Sequence, residues 1–188
     1  RTTNRHDLSL KPPRKTMLDL LKDAGKDVIA VGKIFDIFDG EGVTEKIKTT
    51  GNTNGIAFTK ALQTRDFEGL AFVNLVDFDM LYGHRRDVAG YAAAATEFDH
   101  FLADFIPEMR EDDLLMVTAD HGCDPSYTKT TDHTREYVPY LICGRGVKPG
   151  VDLGTKLCFG TIAHTVCEYL GVDASTLDGQ SVWEKIRK

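Results

Sequence analysis

Long apolar runs are missing from this sequence, and no stretch approaches the roughly 18 residues that a membrane-spanning helix needs. The segment from Arg1 to Pro13 is polar and basic, so we expect no signal peptide there. A basic surplus is missing too, because the formal net charge is −6. An acidic chain without a basic stripe disfavours nucleic acid and anionic membranes as partners.

Paired cysteines are also missing. The four cysteines form no CxxC motif and lack the spacing of small secreted domains. We interpret them as reduced thiols of a cytoplasmic protein, and we do not expect zinc held by cysteine. Position 1 is occupied by Arg1 instead of Met, which favours a piece of a longer protein or a processed product. The content of 41% hydrophobic and 28% charged residues is typical of a globular domain.

Amphipathic segments alternate with short apolar runs along the chain. Helical spacing of apolar residues predicts helices, and β-branched runs predict buried strands. The predicted helices cover residues 16–24, 53–64, 89–105 and 159–170. The predicted strands cover residues 27–32, 69–75, 113–118 and 137–143. This alternation predicts an α/β fold with a mostly parallel sheet and helices on both faces.

Polar side chains follow two of the predicted strands directly. The second strand runs into VDFDMLYGHRRD, the third runs into ADHGCDP, and His133 follows in TTDHTRE on the next loop. Ligands of such sheets bind beyond the carboxyl ends of the strands. Carboxylate and imidazole together suit Mn²⁺, Zn²⁺ or Fe²⁺. The sequence therefore predicts a metal site at this edge of the sheet.

The spacing within each pair of ligands is compatible with one ion. Asp79 and His84 are five residues apart across a loop that contains a glycine, which leaves enough chain to fold both onto one ion. Asp120 and His121 are adjacent, so an extended backbone would point them to opposite sides. We expect Gly122 to allow a turn there. One Asp-His pair is weak evidence, but two pairs and a third histidine strengthen the prediction.

Four strings of the sequence resemble phosphopentomutases, a family within the alkaline phosphatase superfamily. They are VIAVGKIFDIFDGEGVTE, NLVDFDMLYGHRRD, VTADHGCDP and TDHTREYVP, and the resemblance covers nearly the whole chain. Cofactor-independent phosphoglycerate mutases are similar to this family in core fold and metal site. The GKI, DI and DGEG portions of the first string and the DHTREYVP ending favour the pentose enzyme.

The resemblance implies a partial alkaline-phosphatase-like core, two Mn²⁺ ions and a phosphorylated threonine that carries the phosphoryl group. It implies that Asp79, His84 and His133 are ligands of one ion. It implies that Asp120 and His121 are two ligands of the other. An N-terminal Asp completes the second ion in the family. Neither this Asp nor the threonine has a match here, so we expect both upstream of Arg1 and no catalytic nucleophile within the chain.

A substrate contact and a domain boundary also follow from the resemblance. Lys33 corresponds to a contact of the substrate phosphate, where an ammonium acts as a point charge. Residues 1–12 correspond to the end of an inserted cap domain, and residues 13–188 to the C-terminal part of the metal-binding core. The missing N-terminal part of the same enzyme is the expected partner. Without it we expect an unpaired sheet edge or an exposed apolar face.

The implied function is a phosphopentomutase that interconverts the 1- and 5-phosphates of ribose and deoxyribose in the cytoplasm. Two cations suit this chemistry because they stabilise the attacking and leaving oxygens of a phosphoryl transfer together. The chain alone is expected to be inactive without the threonine. The alternatives are a metal-dependent phosphatase or phosphoglycerate mutase of the same superfamily, or a non-catalytic metal-binding fragment.

The role of two arginines beside the predicted site stays open. Arg85 and Arg86 directly follow His84. They either hold a substrate phosphate through bidentate hydrogen bonds or pair with Asp87 or Asp124.

Overall fold

The computed structural model of the chain describes residues 9–188 and confirms the predicted alternation of helices and strands. The α-helices are α1 (Met17–Asp23), α2 (Ile34–Ile37), α3 (Asn52–Leu62), α4 (Val88–Phe105), α5 (Gly160–Tyr169) and α6 (Trp183–Ile186). The strands are β1 (Asp27–Val31), β2 (Glu45–Ile47), β3 (Gly69–Val73), β4 (Leu115–Thr118) and β5 (Tyr140–Cys143). A π-helix (Phe78–Gly83) precedes α4, and a 3-10 helix (Ile106–Glu108) follows it. None of the helices in the described part is long and apolar enough to cross a membrane.

The described residues divide into two units. The first unit contains residues 9–49, 66–74 and 155–183, and the second contains residues 50–65, 75–154 and 184–188. The boundary between a cap and a core near residue 12 stays a prediction, because residues 1–8 lie outside the described part of the chain.

A parallel sheet flanked by helices forms the centre of the first unit. Strand β1 lies between β2 and β3 and pairs with both in parallel. Its residues from Val28 to Val31 are at most 1% exposed, as expected for a strand of a parallel sheet that is covered on both faces. Leu18 and Leu21 of α1 are fully buried. Asp19 accepts a hydrogen bond from the backbone N–H of Thr16 at 2.7 Å and fixes the start of this helix.

Hydrogen bonds connect helix α5 to the segment that follows it in the first unit. Thr165 is fully buried, and its hydroxyl donates to the carbonyl of Thr161 at 2.7 Å. The same oxygen accepts the backbone N–H of Val182 at 3.1 Å. The Nε2 of His164 lies 3.0 Å from the carbonyl oxygen of Leu177. These bonds satisfy polar groups that would otherwise be costly to bury.

Cys167 of α5 is expected to resist alkylation at pH 8 in the native chain. It is fully buried, and burial raises the pKa of its thiol to about 11, with the charge of Asp173 acting in the same direction. Only about one thiol in a thousand is then ionised at pH 8, and the thiolate is the reactive form. The exposed Cys158 should react first with iodoacetamide, as mapped by mass spectrometry. All four cysteines should react in guanidinium, and rapid native labelling of Cys167 would contradict its burial.

Strands β4 and β5 of the second unit pair in the antiparallel sense, with Met116 opposite Ile142. The segment 119–139 that joins them contains no helix. A parallel pair needs a crossover connection, which is usually helical, whereas a chain that turns back directly pairs antiparallel. The parallel arrangement expected from the sequence therefore holds for β1, β2 and β3. The connecting segment 119–139 carries several of the predicted metal ligands.

Candidate metal centre

The π-helix brings Asp79 and His84 to the same side of the backbone. The N–H of His84 donates to the carbonyl of Asp79 at 3.0 Å, which is the bond across five residues that defines this helix. In an α-helix, residues five apart would point in directions about 140° apart. Here the Nε2 of His84 lies 3.2 Å from Oδ1 of Asp79. The sequence predicted a loop at this point, and the structure replaces it with one wide helical turn.

His133 approaches the same carboxylate from the segment between β4 and β5. Its Nε2 lies 3.3 Å from Oδ1 of Asp79. Its ring is stacked on that of His121, with the ring centres 3.7 Å apart, and lies 4.9 Å from the ring of His84. One ligand atom from each of Asp79, His121 and His133 lies within 4.8 Å of the others. Four of the five predicted metal ligands therefore form one cluster.

The backbone fixes the orientation of two of these imidazoles. The Nδ1 of His84 lies 2.5 Å from the carbonyl oxygen of Thr131, and the Nδ1 of His121 lies 3.1 Å from that of Gly122. A carbonyl only accepts hydrogen bonds, so each Nδ1 is the donor, and in a neutral imidazole the Nε2 then keeps a free lone pair. Histidines that bind metals are held in this way. The set of carboxylate and imidazole groups fits a divalent ion of the Mn²⁺, Zn²⁺ or Fe²⁺ kind.

Asp120 lies at the edge of the cluster. Its Oδ1 is 3.7 Å from the Nε2 of His121, and its side chain is 74% exposed. Asp120 is therefore next to His121 but more exposed than the other four predicted ligands. The division of the ligands between two ions stays a prediction.

Lys33, the predicted contact of a substrate phosphate, belongs to the first unit. It follows β1 and Gly32 and stands at the N-terminal cap of α2. Gly32 has a φ of +83°, a conformation that favours glycine, and an added Cβ would lie 2.6 Å from the carbonyl oxygen of Asn74. The turn that presents Lys33 therefore depends on this glycine. The role of Lys33 in binding stays a prediction.

The chain bends at Asp120 and His121, and Gly122 lies directly after this bend. It forms a bridge with Thr134, whose N–H donates to the carbonyl of Gly122 at 3.1 Å. A Cβ at Gly122 would lie 2.7 Å from the backbone nitrogen of Glu136 and 2.9 Å from the carbonyl oxygen of Thr134. The glycine is therefore needed for close approach of two backbone segments. Gly122 and Thr134 directly follow His121 and His133, whose rings are stacked.

Asp77 supports the start of the π-helix, a role that sequence reasoning did not assign. Its Oδ2 accepts the backbone N–H of Asn52 at 2.7 Å, and its own N–H donates to Oδ1 of Asn52 at 2.9 Å. Asn52 is 5% exposed and begins α3. This reciprocal pair joins α3 to the residue before the π-helix. The sequence shows Asp77 two residues before Asp79, but it gives no sign of a partner 25 positions away.

Two neutral acids line the cluster. Burial raises the pKa of the Cys123 thiol, and the charge of Asp79 acts in the same direction. Burial likewise raises the pKa of Tyr91, with smaller contributions from Cys123 and Asp79. Both groups therefore stay protonated near neutral pH and add no negative charge to the site. The Sγ of Cys123 lies 4.0 Å from Oδ1 of Asp79.

Comparison with known proteins gives the cluster a family context. The model of the Metalloenzyme superfamily matches residues 1–174. A phosphopentomutase of Lachnoclostridium phytofermentans is 54% identical over 188 residues, which are 100% of this chain and 48% of that protein. A phosphopentomutase of Acetivibrio thermocellus is 53% identical over 181 residues, which are 96% of this chain and 46% of that protein. One from Carboxydothermus hydrogenoformans is 50% identical over 100% of the chain and 48% of that protein. The chain spans about half the length of the curated relatives it matches.

Proposed function

The chain belongs to the Metalloenzyme superfamily, and from this premise we propose that it is part of a phosphopentomutase. The enzyme would interconvert ribose 1-phosphate and ribose 5-phosphate, together with their 2-deoxy forms. The observation that carries the proposal is the cluster of Asp79, His84, His121 and His133. The high identity to relatives that are named phosphopentomutases favours the pentose reaction over others of the superfamily.

We infer that Asp79, His84 and His133 hold one Mn²⁺ ion and that Asp120 and His121 contribute to a second. Bound cations at these positions would neutralise charge on the oxygens of a transferred phosphoryl group. The chain itself holds two of the ligand side chains in position. The carbonyls of Thr131 and Gly122 orient the rings of His84 and His121 before any ion binds.

We infer that the remaining parts of the site lie on the rest of the enzyme. The threonine nucleophile and the last carboxylate ligand of the second ion would come from the missing N-terminal part, and Lys33 would bind the substrate phosphate. In the second unit, Tyr137 is 87% exposed and Leu141 of β5 is 60% exposed. Their exposure supports coverage of this region by another part of the protein. The four free cysteines support a cytoplasmic location.

The test uses the complete gene product that contains this chain. It is incubated with Mn²⁺, ribose 1-phosphate and a sugar bisphosphate that charges the enzyme with phosphate. Formation of ribose 5-phosphate without release of free phosphate would support the proposal. Net release of phosphate would identify a phosphatase, and turnover of phosphoglycerate instead of pentose phosphate would identify the other mutase. Metal binding without any turnover would identify a non-catalytic module.

The 188-residue chain alone is expected to give no turnover in the same assay, because neither the threonine nucleophile nor the last carboxylate ligand of the family has a match within it. Adding the N-terminal part as a separate polypeptide should restore activity if the two parts associate. Turnover by the chain alone would contradict the proposed division of the site.

A further inference from the structure

All five N–H groups of the Arg86 guanidinium donate to main-chain carbonyls. The Nε donates to Thr130 at 2.8 Å, Nη1 to Gly83 at 3.1 Å and Asp124 at 3.0 Å, and Nη2 to Thr130 at 2.6 Å and Asp132 at 2.5 Å. A guanidinium has five donors and no acceptor, so its capacity is filled. Binding of a substrate phosphate by Arg86 would break several of these bonds. The structure thus favours neither of the two roles left open by the sequence.

These bonds join both ends of an exposed segment to the end of the π-helix. Residues 126–132 are exposed, so burial of side chains does little to fix their position. Arg86 binds the carbonyls of Asp132, the last residue of this exposed stretch, and of Asp124, two residues before it, and so holds the segment 124–132 at both ends. The carboxylate of Asp124 is directed elsewhere, because it accepts bonds from the backbone N–H and hydroxyl of Ser126. Arg86 therefore holds the backbone of the segment and not its charged side chains.

The segment leads directly into a metal ligand. Asp132 precedes His133, and its Oδ1 accepts the N–H of His133 at 2.8 Å. Thr131, one residue earlier, provides the carbonyl that orients His84. A shift of this segment would move His133 and release the bond that fixes His84. Both changes would alter the distances of these two histidines from the carboxylate of Asp79.

The backbone conformation of Arg86 is one that a residue with a side chain adopts only when other interactions stabilise it. Its φ is +55°, in the left-handed region that residues with a side chain seldom adopt. Glycine would adopt it without strain. The five bonds of the guanidinium offset the strain and hold the residue in this conformation. Strained residues of this kind cluster at functional sites.

We propose that Arg86 is a positioning residue of the metal site, which fixes His133 and His84 relative to Asp79 by clamping the segment 124–132. The proposal rests on the metal site proposed above. It adds a residue that contacts neither substrate nor metal. The planar fork of Arg86 is essential to this role, because the compact ammonium of lysine cannot reach four separate carbonyls.

The test compares three variants of the complete gene product that contains this chain. Arg86→Lys keeps the charge, and Arg86→Gly keeps the left-handed backbone without strain while it removes all five bonds. Arg85→Lys is the matched control, because Arg85 is the exposed neighbour. Mn²⁺ affinity is measured by calorimetry, and the visible absorption spectrum is measured at saturating Co²⁺, which reports the geometry of the ligands. Thermal melting without metal reports stability.

We expect both Arg86 variants to bind Mn²⁺ about 10–100-fold more weakly and to show an altered Co²⁺ spectrum at saturation. Arg85→Lys should match the unchanged chain in both measurements. A lower melting temperature with an unchanged Co²⁺ spectrum at saturation would show that Arg86 only stabilises the fold, and this would overturn the proposal. Unchanged Mn²⁺ affinity of the Arg86 variants would also overturn it. Failure of the unchanged gene product to bind Mn²⁺ would instead overturn the metal site itself and, with it, this proposal.

Discussion

Replacing Asp79 by asparagine is expected to weaken Mn²⁺ binding to the chain by more than about 100-fold. Its Oδ1 lies 3.2 Å from the Nε2 of His84 and 3.3 Å from that of His133, at the centre of the cluster. The amide has nearly the same shape but no charge. Loss of a partner outside the ligand set already costs about 10–100-fold in metal affinity, so loss of a central ligand should exceed that range.

Calorimetry with Mn²⁺ measures this effect, and Asp104→Asn provides the matched control. Asp104 is exposed on α4, so the same chemical change there should leave the affinity unchanged. Equal affinity of Asp79→Asn and the unchanged chain would remove Asp79 from the site. Thermal melting without metal separates loss of a ligand from loss of the fold.

Replacing Gly122 by alanine should lower Mn²⁺ affinity by about tenfold or more and destabilise the chain by about 1–3 kcal/mol. The added Cβ would lie 2.7 Å from the backbone nitrogen of Glu136. A backbone atom cannot rotate away as a flexible side chain can, so the segment after His133 must move. The rings of His121 and His133, whose centres are 3.7 Å apart, would then separate.

Gly150→Ala is the control for the backbone strain that replacement of a glycine by alanine can introduce. Gly150 has a φ of +70° and open space around an added Cβ, so this change adds backbone strain without a clash. It should lower the melting temperature but leave Mn²⁺ affinity unchanged. If Gly122→Ala behaves in the same way, close approach at Gly122 does not determine the position of His133.

Most of the regular structure was predictable because its signal is local. The buried run of β1 and the long amphipathic pattern of α4 each extend over enough residues to define one element. The shifts at element ends are small, and the largest is at β5, which begins at Tyr140 instead of Tyr137. Strand β2 was not predicted, since its three residues are too few to form a pattern. The antiparallel pairing of β4 and β5 depends on the path of a long connection, which local patterns do not encode.

The types of metal ligand in the candidate site were predictable, but the hydrogen bonds that orient these ligands were not. Carboxylates and imidazoles after buried strands carry a chemical signature in the sequence. The bonds that orient them go to main-chain carbonyls, such as that of Thr131, which every residue type possesses. Arg86 and Asn52 act on groups that are distant in the chain, so a single sequence gives no sign of their partners.

The π-helix makes the spacing between Asp79 and His84 a fixed requirement of the site. An α-helix joins residues four apart, so an α-helical turn would bring Gly83 instead of His84 next to Asp79. Searches for ligand pairs at α-helical intervals would therefore pass over this pair. Insertion or deletion of a single residue between the two would also change which side chain faces the carboxylate, so related sequences should tolerate exchange of residues 80–82 more readily than any change in the length of this stretch.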